Sequence, residues 1–338
     1  MKVLVFGAGG PAGINVCRSL AEAGHEVIGA DSDPRHLPWA KVYCKEVRLL
    51  DKFSASDVND VGAEALHSQV EKTVLWIADN KAKLDAATLC PDRRVISLTQ
   101  DKWEASLEFR RAGLRDDKVM LVQDALGVTE AMDEFQFPFW LRARHGAGAR
   151  GAALCENEAQ ARYWFLYWQA RSALMDFIAE AYLPGRDLAW TSLWHEGALL
   201  ASFGRERLEY IYPHLAPSGR TGTPTISRTI HDDLLNEVAI KTVTSIDPEP
   251  NGFYSVDFRE DTGGTPRPTE INAGRCFTTS YLSTAAGVNF MDMWCRAIQG
   301  VRYVGVAQTN SIPAGLTWMR HIDCPELLID DDGKVLNV

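Results

Sequence analysis

The sequence predicts a doubly wound α/β lobe followed by an α+β region built from antiparallel strand pairs. Three observations carry that expectation. The first hundred residues alternate apolar strand-like runs with helical spacings, beginning with "KVLVFGAG" at 2–9, an unbroken apolar run ended by glycines, as in a strand buried on both faces of a parallel sheet. After residue 114 the strand-like stretches are separated by glycine-rich turns, the mark of hairpins. At 338 residues the chain also exceeds the roughly 250–300 residues at which one core stops growing, so two or three compact lobes are expected.

Along the chain, "PAGINVCRSLAEAG" (11–24) carries apolar residues at helical spacing and stops at Gly24, and "HEVIGAD" (25–31) is the next strand, completing one β-α-β unit. "ALHSQVEKTVLWIADN" (65–80) reads as helix then strand, and "RRVISLT" (93–99) as a short strand. "TQDKWEASLEFRRAGL" (99–114) is a helix with Asp101 placed to cap it. "FPFWLRA" (137–143) and "FIAEAYL" (177–183) are strands. "LAWTSLWHEGALLASFG" (188–204) and "GFYSVDFREDTGGTPRPTEIN" (252–272) are hairpins turning at Glu196–Gly197 and Gly263–Gly264. "EAQARYWFLYWQARSALMDF" (158–177) is a long aromatic helix, read as buried core or a subunit interface, and "IDDDG" (329–333) is a solvated turn rather than a metal site.

The formal charge of −10 without a basic tract argues against nucleic acid or an anionic membrane surface as a partner. Seven scattered cysteines, with no Cys-x-x-Cys pair and no zinc spacing, fit a reducing compartment. The opening "MKVLVFGAGG" runs straight into a strand, and no apolar run reaches 18 residues, so a cytoplasmic enzyme is expected.

Three motifs carry chemistry. "GAGGPAG" (7–13) follows a strand, opens a helix and is followed by Asp31, which invites a dinucleotide reading, but Ala12 stands at the third glycine position and such turns also serve simply to start a packed β-α-β unit. In "FPFWLRARHGAGARGAAL" (137–154) a strand delivers Arg142 to a loop holding Gly146, Gly148, Arg150 and Gly151. Backbone N–H groups of such a loop can close over phosphate, and guanidinium groups pair with it bidentately, whereas a plain hairpin turn needs neither. In the acidic hairpin, Glu270 and Asn272 lie two apart in one strand and so share a face. Asp257 in the partner strand comes within about 5 Å of that face. Three hard oxygen ligands of this kind suit magnesium, which shares its shell with substrate phosphates. Solvated hairpin charges would explain Glu260 and Asp261, but Asp257 less well, since Val256 and Phe258 flank it.

In this order the pieces resemble the ATP-grasp enzymes, and within them the carbamoyl phosphate synthetase-like and carboxylate-amine ligase branch. The resemblance spans the chain to about residue 300. It implies a Rossmann-like pre-ATP-grasp lobe (1–100) that serves mainly substrate binding, an ATP-grasp N-terminal lobe (101–180) and a C-terminal lobe with an extension (181–338). It implies ATP and Mg2+ as cofactors. Lys102 and Arg142 would hold the nucleotide phosphates, and the loop from His145 to Gly151 would close as a lid. Glu180, with the backbone of Ala181 and Leu183, would meet the adenine, and Asp187 the ribose. Asp257, Glu270 and Asn272 match the family's magnesium ligands. Arg275 resembles the arginine that stabilises the transferred phosphoryl group, though it lies five residues after Glu270 where four is usual, with Gly274 in that place. The implied reaction joins a small-molecule carboxylate and an amine through an acyl phosphate. A homodimer is a further expectation, since family members are often dimers.

Three other readings remain. Carbamoyl phosphate-type chemistry would require an ammonia source that this chain does not show. A nucleotide-binding subunit without turnover would account for the arginine at 142 and the shifted Arg275. A nicotinamide-dependent oxidoreductase using 7–13 and Asp31 would leave Asp257, Glu270 and Asn272 unexplained. His214, Ser218, Arg220, Trp318 and Arg320 are candidates for binding the acid or amine, and equally for packing and turns.

Overall fold

A computed structural model describes residues 1–146, 148–171, 175–301, 304–321 and 324–336, with backbone alone at 324–327 and 335. Its first sheet contains β1 (Lys2–Phe6), β2 (Glu26–Asp31), β3 (Glu46–Leu49) and β4 (Ala65–Ser68) in the parallel order β3-β2-β1-β4. Val3, Leu4, Val5 and Phe6 are all buried, as the unbroken apolar run requires. The helix Pro11–Glu22 leads directly from the glycine turn, with proline in its first turn, where a missing N–H costs nothing.

Two expectations fail here. Residues 65–80 are strand then helix, β4 followed by Glu71–Asn80, the reverse of the predicted order. The four-residue strand is too short to show a period, while buried Val74 and Ile77 lie three apart, on one helical face. Residues 93–100 form a helix, not a strand. Val95, Ile96 and Thr99 are its buried positions, a spacing that a short apolar run does not distinguish from a strand by eye. The next helix, Lys102–Arg111, starts as expected: Asp101 accepts from the backbone N–H groups of Trp103 and Glu104.

A second sheet, antiparallel, contains β5 (Val119–Val122), β6 (Phe139–Ala143), β7 (Ala153–Cys155) and β8 (Phe177–Ala181) in the order β5-β8-β6-β7. The aromatic helix Glu158–Arg171 covers it by burying Ala161, Phe165 and Trp168. Its other face is open, with Tyr163, Leu166 and Tyr167 exposed.

The third sheet has eight strands: β9 (Asp187–His195), β10 (Ala198–Tyr210), β11 (Pro224–Ile230), β12 (Gly252–Glu260), β13 (Pro266–Ala273), β14 (Thr317–His321), β15 (Cys324–Ile329) and β16 (Val335–Leu336). Their order is β13-β12-β9-β10-β11-β14-β15-β16, antiparallel throughout. Both predicted hairpins are present. The first turns on Glu196 and Gly197, both at positive φ (49° and 78°), the two-residue turn whose twist matches that of the strands. One core unites Val3 and Val5 of the first sheet with Leu193 and Phe203 of the third, through Met291 and Trp294 of the helix Phe290–Ile298. Residues 331–333 of the acidic turn are exposed.

Candidate functional site

A cavity of about 380 Å³ lies between the two antiparallel sheets. Its floor is set by strand register. Across β10, β9, β12 and β13, Arg205 pairs with Ala189, Ala189 with Asp257, and Asp257 with Glu270, so these four side chains form one transverse row on one face. Arg207 and Asn272 stand two residues from Arg205 and Glu270 on the same face, and Asp187 pairs with Arg259.

The predicted acidic group is assembled. Each member has a basic neighbour: Arg207 ion-pairs with Asp257, Lys102 Nζ lies 3.7 Å from Glu270, and Arg275 Nη2 donates to Asn272 Oδ1 at 2.5 Å. Burial raises the Asp257 carboxyl above its ordinary value; Arg207 opposes the rise and the facing Glu270 adds to it. Two carboxylates close enough to repel, with an amide oxygen on the same face, are a donor set that fits a divalent cation. Among the described residues no group of three or more His, Cys, Asp or Glu side chains could hold a metal.

The extra residue before Arg275 does not remove it from the cavity, whose wall it joins. Gly274 stands at φ +78°, and a Cβ there would meet Val74 Cγ1 at 2.7 Å.

The opposite wall differs from expectation in detail. Glu180 lines the cavity but is only 4% exposed. Its carboxylate accepts from Arg142 Nε at 2.6 Å, Arg115 Nη1 at 2.9 Å and Ser106 Oγ at 3.1 Å. Burial would raise this carboxyl, but Arg142 and Arg115 outweigh it and hold it below its usual value. Arg142 is further fixed by the Thr269 carbonyl at 2.8 Å. The Leu183 carbonyl accepts from Arg259 at 3.0 and 3.2 Å. Asp187 accepts from Tyr210 Oη at 2.9 Å and lies within 3.4 Å of Arg207, Arg220 and Arg259.

Lys102, Arg142, Gly146, Gly148, Arg150, Glu180, Ala181, Leu183, Asp187, Asp257, Glu270, Asn272 and Arg275 therefore line one cavity. His145 and Gly151 flank it instead. His145 turns out towards solvent and the Gln100 carbonyl, and Gly151 serves close packing, since a Cβ there would meet Ala143 Cβ at 2.9 Å. Of the substrate candidates, Ser218 and Arg220 line the cavity, His214 is exposed, and Trp318 is fully buried as packing. Arg320 is bound to Thr278 and the Pro224 carbonyl. Sequence reasoning missed Arg115, Arg205, Arg207, Tyr210 and Arg259. The signal for two of them was present in "GRERLEY" (204–210), where arginines two apart share a strand face once the hairpin is extended beyond Gly204.

Three sheets in this arrangement, with a cleft between the two antiparallel ones, define the ATP-grasp fold. The sequence matches no protein-family model and no curated protein. The ADP complex of N5-carboxyaminoimidazole synthetase from Staphylococcus aureus superposes with TM-score 0.72 at 16% identity, covering 94% of this chain and 81% of its own. The biotin carboxylase domain of 2-oxoglutarate carboxylase from Hydrogenobacter thermophilus, in complex with MgADP, ADP and bicarbonate, gives 0.71 at 18%, covering 94% and 73%. L-amino acid ligase from Bacillus licheniformis gives 0.71 at 11%, covering 97% and 80%. Among the described residues no helix is long and apolar enough to cross a membrane.

Proposed function

We propose that the protein is an ATP-dependent carboxylate-amine ligase working through an acyl phosphate, with residues 1–100, 101–180 and 181–338 as its substrate lobe and two nucleotide-clasping lobes. The observation that carries this reading is the charge of the cavity. In a chain of net charge −10, nine cationic side chains and only four carboxylates among the described residues line one cleft, which favours a ligand bearing several negative charges. The two solved relatives above with ADP or MgADP in their names support a nucleotide as that ligand.

Lys102, Arg142 and Arg150 would hold the phosphates, and Gly146 and Gly148 would give the loop over them its freedom. Asp257, Glu270 and Asn272 would hold magnesium, which neutralises charge on the transferring phosphoryl group. Arg275, anchored on Asn272, would face the same group. A carboxylate oxygen of the acid attacks the γ-phosphorus and the bond to the ADP oxygen breaks. The amine lone pair then attacks the acyl carbon, phosphate leaves, and the nitrogen loses a proton. The cations of the wall offset charge at each stage, so positioning and electrostatics supply the catalysis.

The test is ADP release from Mg·ATP by the purified protein, with and without a pool of amino acids and simple carboxylates plus an amine source. ADP release that requires the pool supports the ligase. Saturable ATP binding with no ADP release in any mixture would favour a nucleotide-binding subunit without turnover.

A further inference from the structure

Arg205 is the most deeply buried cation of the cavity wall, 1% exposed. Arg115, Arg142, Arg207, Arg220 and Arg259 each meet a carboxylate. Arg205 meets none among the described residues. Its Nη1 donates to Ser227 Oγ at 3.1 Å, and its guanidinium lies 5.1 Å from the centre of the Phe277 ring. The nearby charges do not favour it: Arg207 and Arg320 repel it, with Asp257 and Tyr210 opposing them. Burial and the adjoining Arg207 push it down to about 9. A buried cation without a counterion is costly, so this position is explained by an anion that arrives with a ligand.

The register says where that anion sits. Arg205 stands two strands from Asp257 in the same row, with Ala189 between them on the sheet, and Arg207 reaches from the strand of Arg205 to Asp257 and Asp187. Strands lie about 4.8 Å apart, so about 10 Å of sheet separates Arg205 from Asp257, and both side chains line the cavity. We propose that Arg205 binds the carboxylate of the acid substrate on this stretch of the cavity wall, beside the phosphoryl-transfer end at Asp257 and Glu270. The proposal rests on the ligase reading. It makes Arg205 the residue that selects an acid as the acceptor, with Phe277 holding the guanidinium plane from the side.

The γ-phosphate of ATP is the other oxyanion that could reach Arg205, and the experiment separates the two. Arg205→Met, which fills the site without charge, and Arg205→Lys, which lacks the planar fork, are compared with wild type by thermal unfolding. Each is melted alone, with Mg·ATP, and with Mg·ADP plus acetate, succinate, L-alanine or L-glutamate. Without ligand, Arg205→Met is expected to melt about 2 °C or more above wild type, because an unpaired buried charge has been removed. At least one acid stabilises wild type, with its apparent affinity at least about 10-fold weaker in Arg205→Lys and its effect absent in Arg205→Met. The proposal is overturned if Arg205→Met melts below wild type without ligand, or if it keeps the acid response. An Mg·ATP response lost together with the acid response would also overturn it, since Arg205 would then serve the nucleotide, as would the failure of every acid to stabilise wild type. Failure of wild type to bind Mg·ATP is a different result: it removes the ligase reading on which the proposal rests.

Discussion

Two glycine-rich segments of this chain look alike on paper and differ in what surrounds them. In the segment at 7–13 the space beside the glycines is filled by the chain itself. A Cβ on Gly13 would meet the Gly7 carbonyl oxygen at 1.9 Å and Ala8 Cα at 2.8 Å, and one on Gly9 the His36 carbonyl oxygen at 2.1 Å. Asp31, the residue a dinucleotide reading would give to a ribose, accepts from the Gly9 and Asp33 backbone and faces His36. At Gly146 and Gly148 no described residue other than the chain neighbours lies within 4 Å of an added Cβ, and both residues line the cavity. Gly9 and Gly13 permit packing, whereas Gly146 and Gly148 stand beside open space. Spacing alone did not separate them; the atoms opposite each glycine do.

Substitutions in and around the two segments test the difference between them. The largest effect is expected at the acidic end of the second segment's cavity. Glu270→Gln should lower pool-dependent ADP release on the order of 10²–10³-fold with little loss of thermal stability; retained turnover would place the chemistry elsewhere. Glu180→Gln should cost about 3–5 kcal/mol in denaturant unfolding, because it takes the carboxylate partner from the partly buried Arg142 and leaves the buried Arg115 with Asp117 alone. The pH dependence has a definite sign. The folded Glu180 carboxyl lies below its ordinary value of 4.5, so its contribution is complete above 4.5 and lost as pH falls from there through the lower folded value. The acid limb of the stability curve should therefore flatten in the variant. Gly13→Ala should cost about 3 kcal/mol or more by overpacking, with ADP release per folded molecule preserved. Gly148→Ala, at φ +69° in open space, should cost only about 1 kcal/mol yet slow turnover more than Gly13→Ala does. Equal turnover in the two variants would erase the distinction between the segments.

Much of the fold was legible because its signals are local. The run at 2–6, the Asp101 cap and the Glu196–Gly197 turn each follow from a few adjacent residues. The helix at 93–100 was not, because a short apolar run with β-branched residues satisfies both periods until tertiary packing decides. The acidic pair was legible from the alternation of strand faces, since Glu270 and Asn272 had to share one. The arginines opposite it were not. Arg115 reaches Glu180 from 65 positions away, and Arg207 reaches Asp257 from 50, so only the pairing of distant strands reveals them. Glu180 shows the same limit from the other side: its position on β8 was read from sequence, but not that two arginines would occupy its carboxylate.

The central claim is that this cavity activates a carboxylate by phosphoryl transfer, and the most direct test is to trap the activated acid. The protein would be incubated with Mg·ATP, the carboxylate pool and hydroxylamine in place of the amine, and assayed for hydroxamate and ADP together. Hydroxamate formed in step with ADP, and lost with Glu270→Gln, is the predicted result. ADP released without hydroxamate from any acid in the pool would contradict the account.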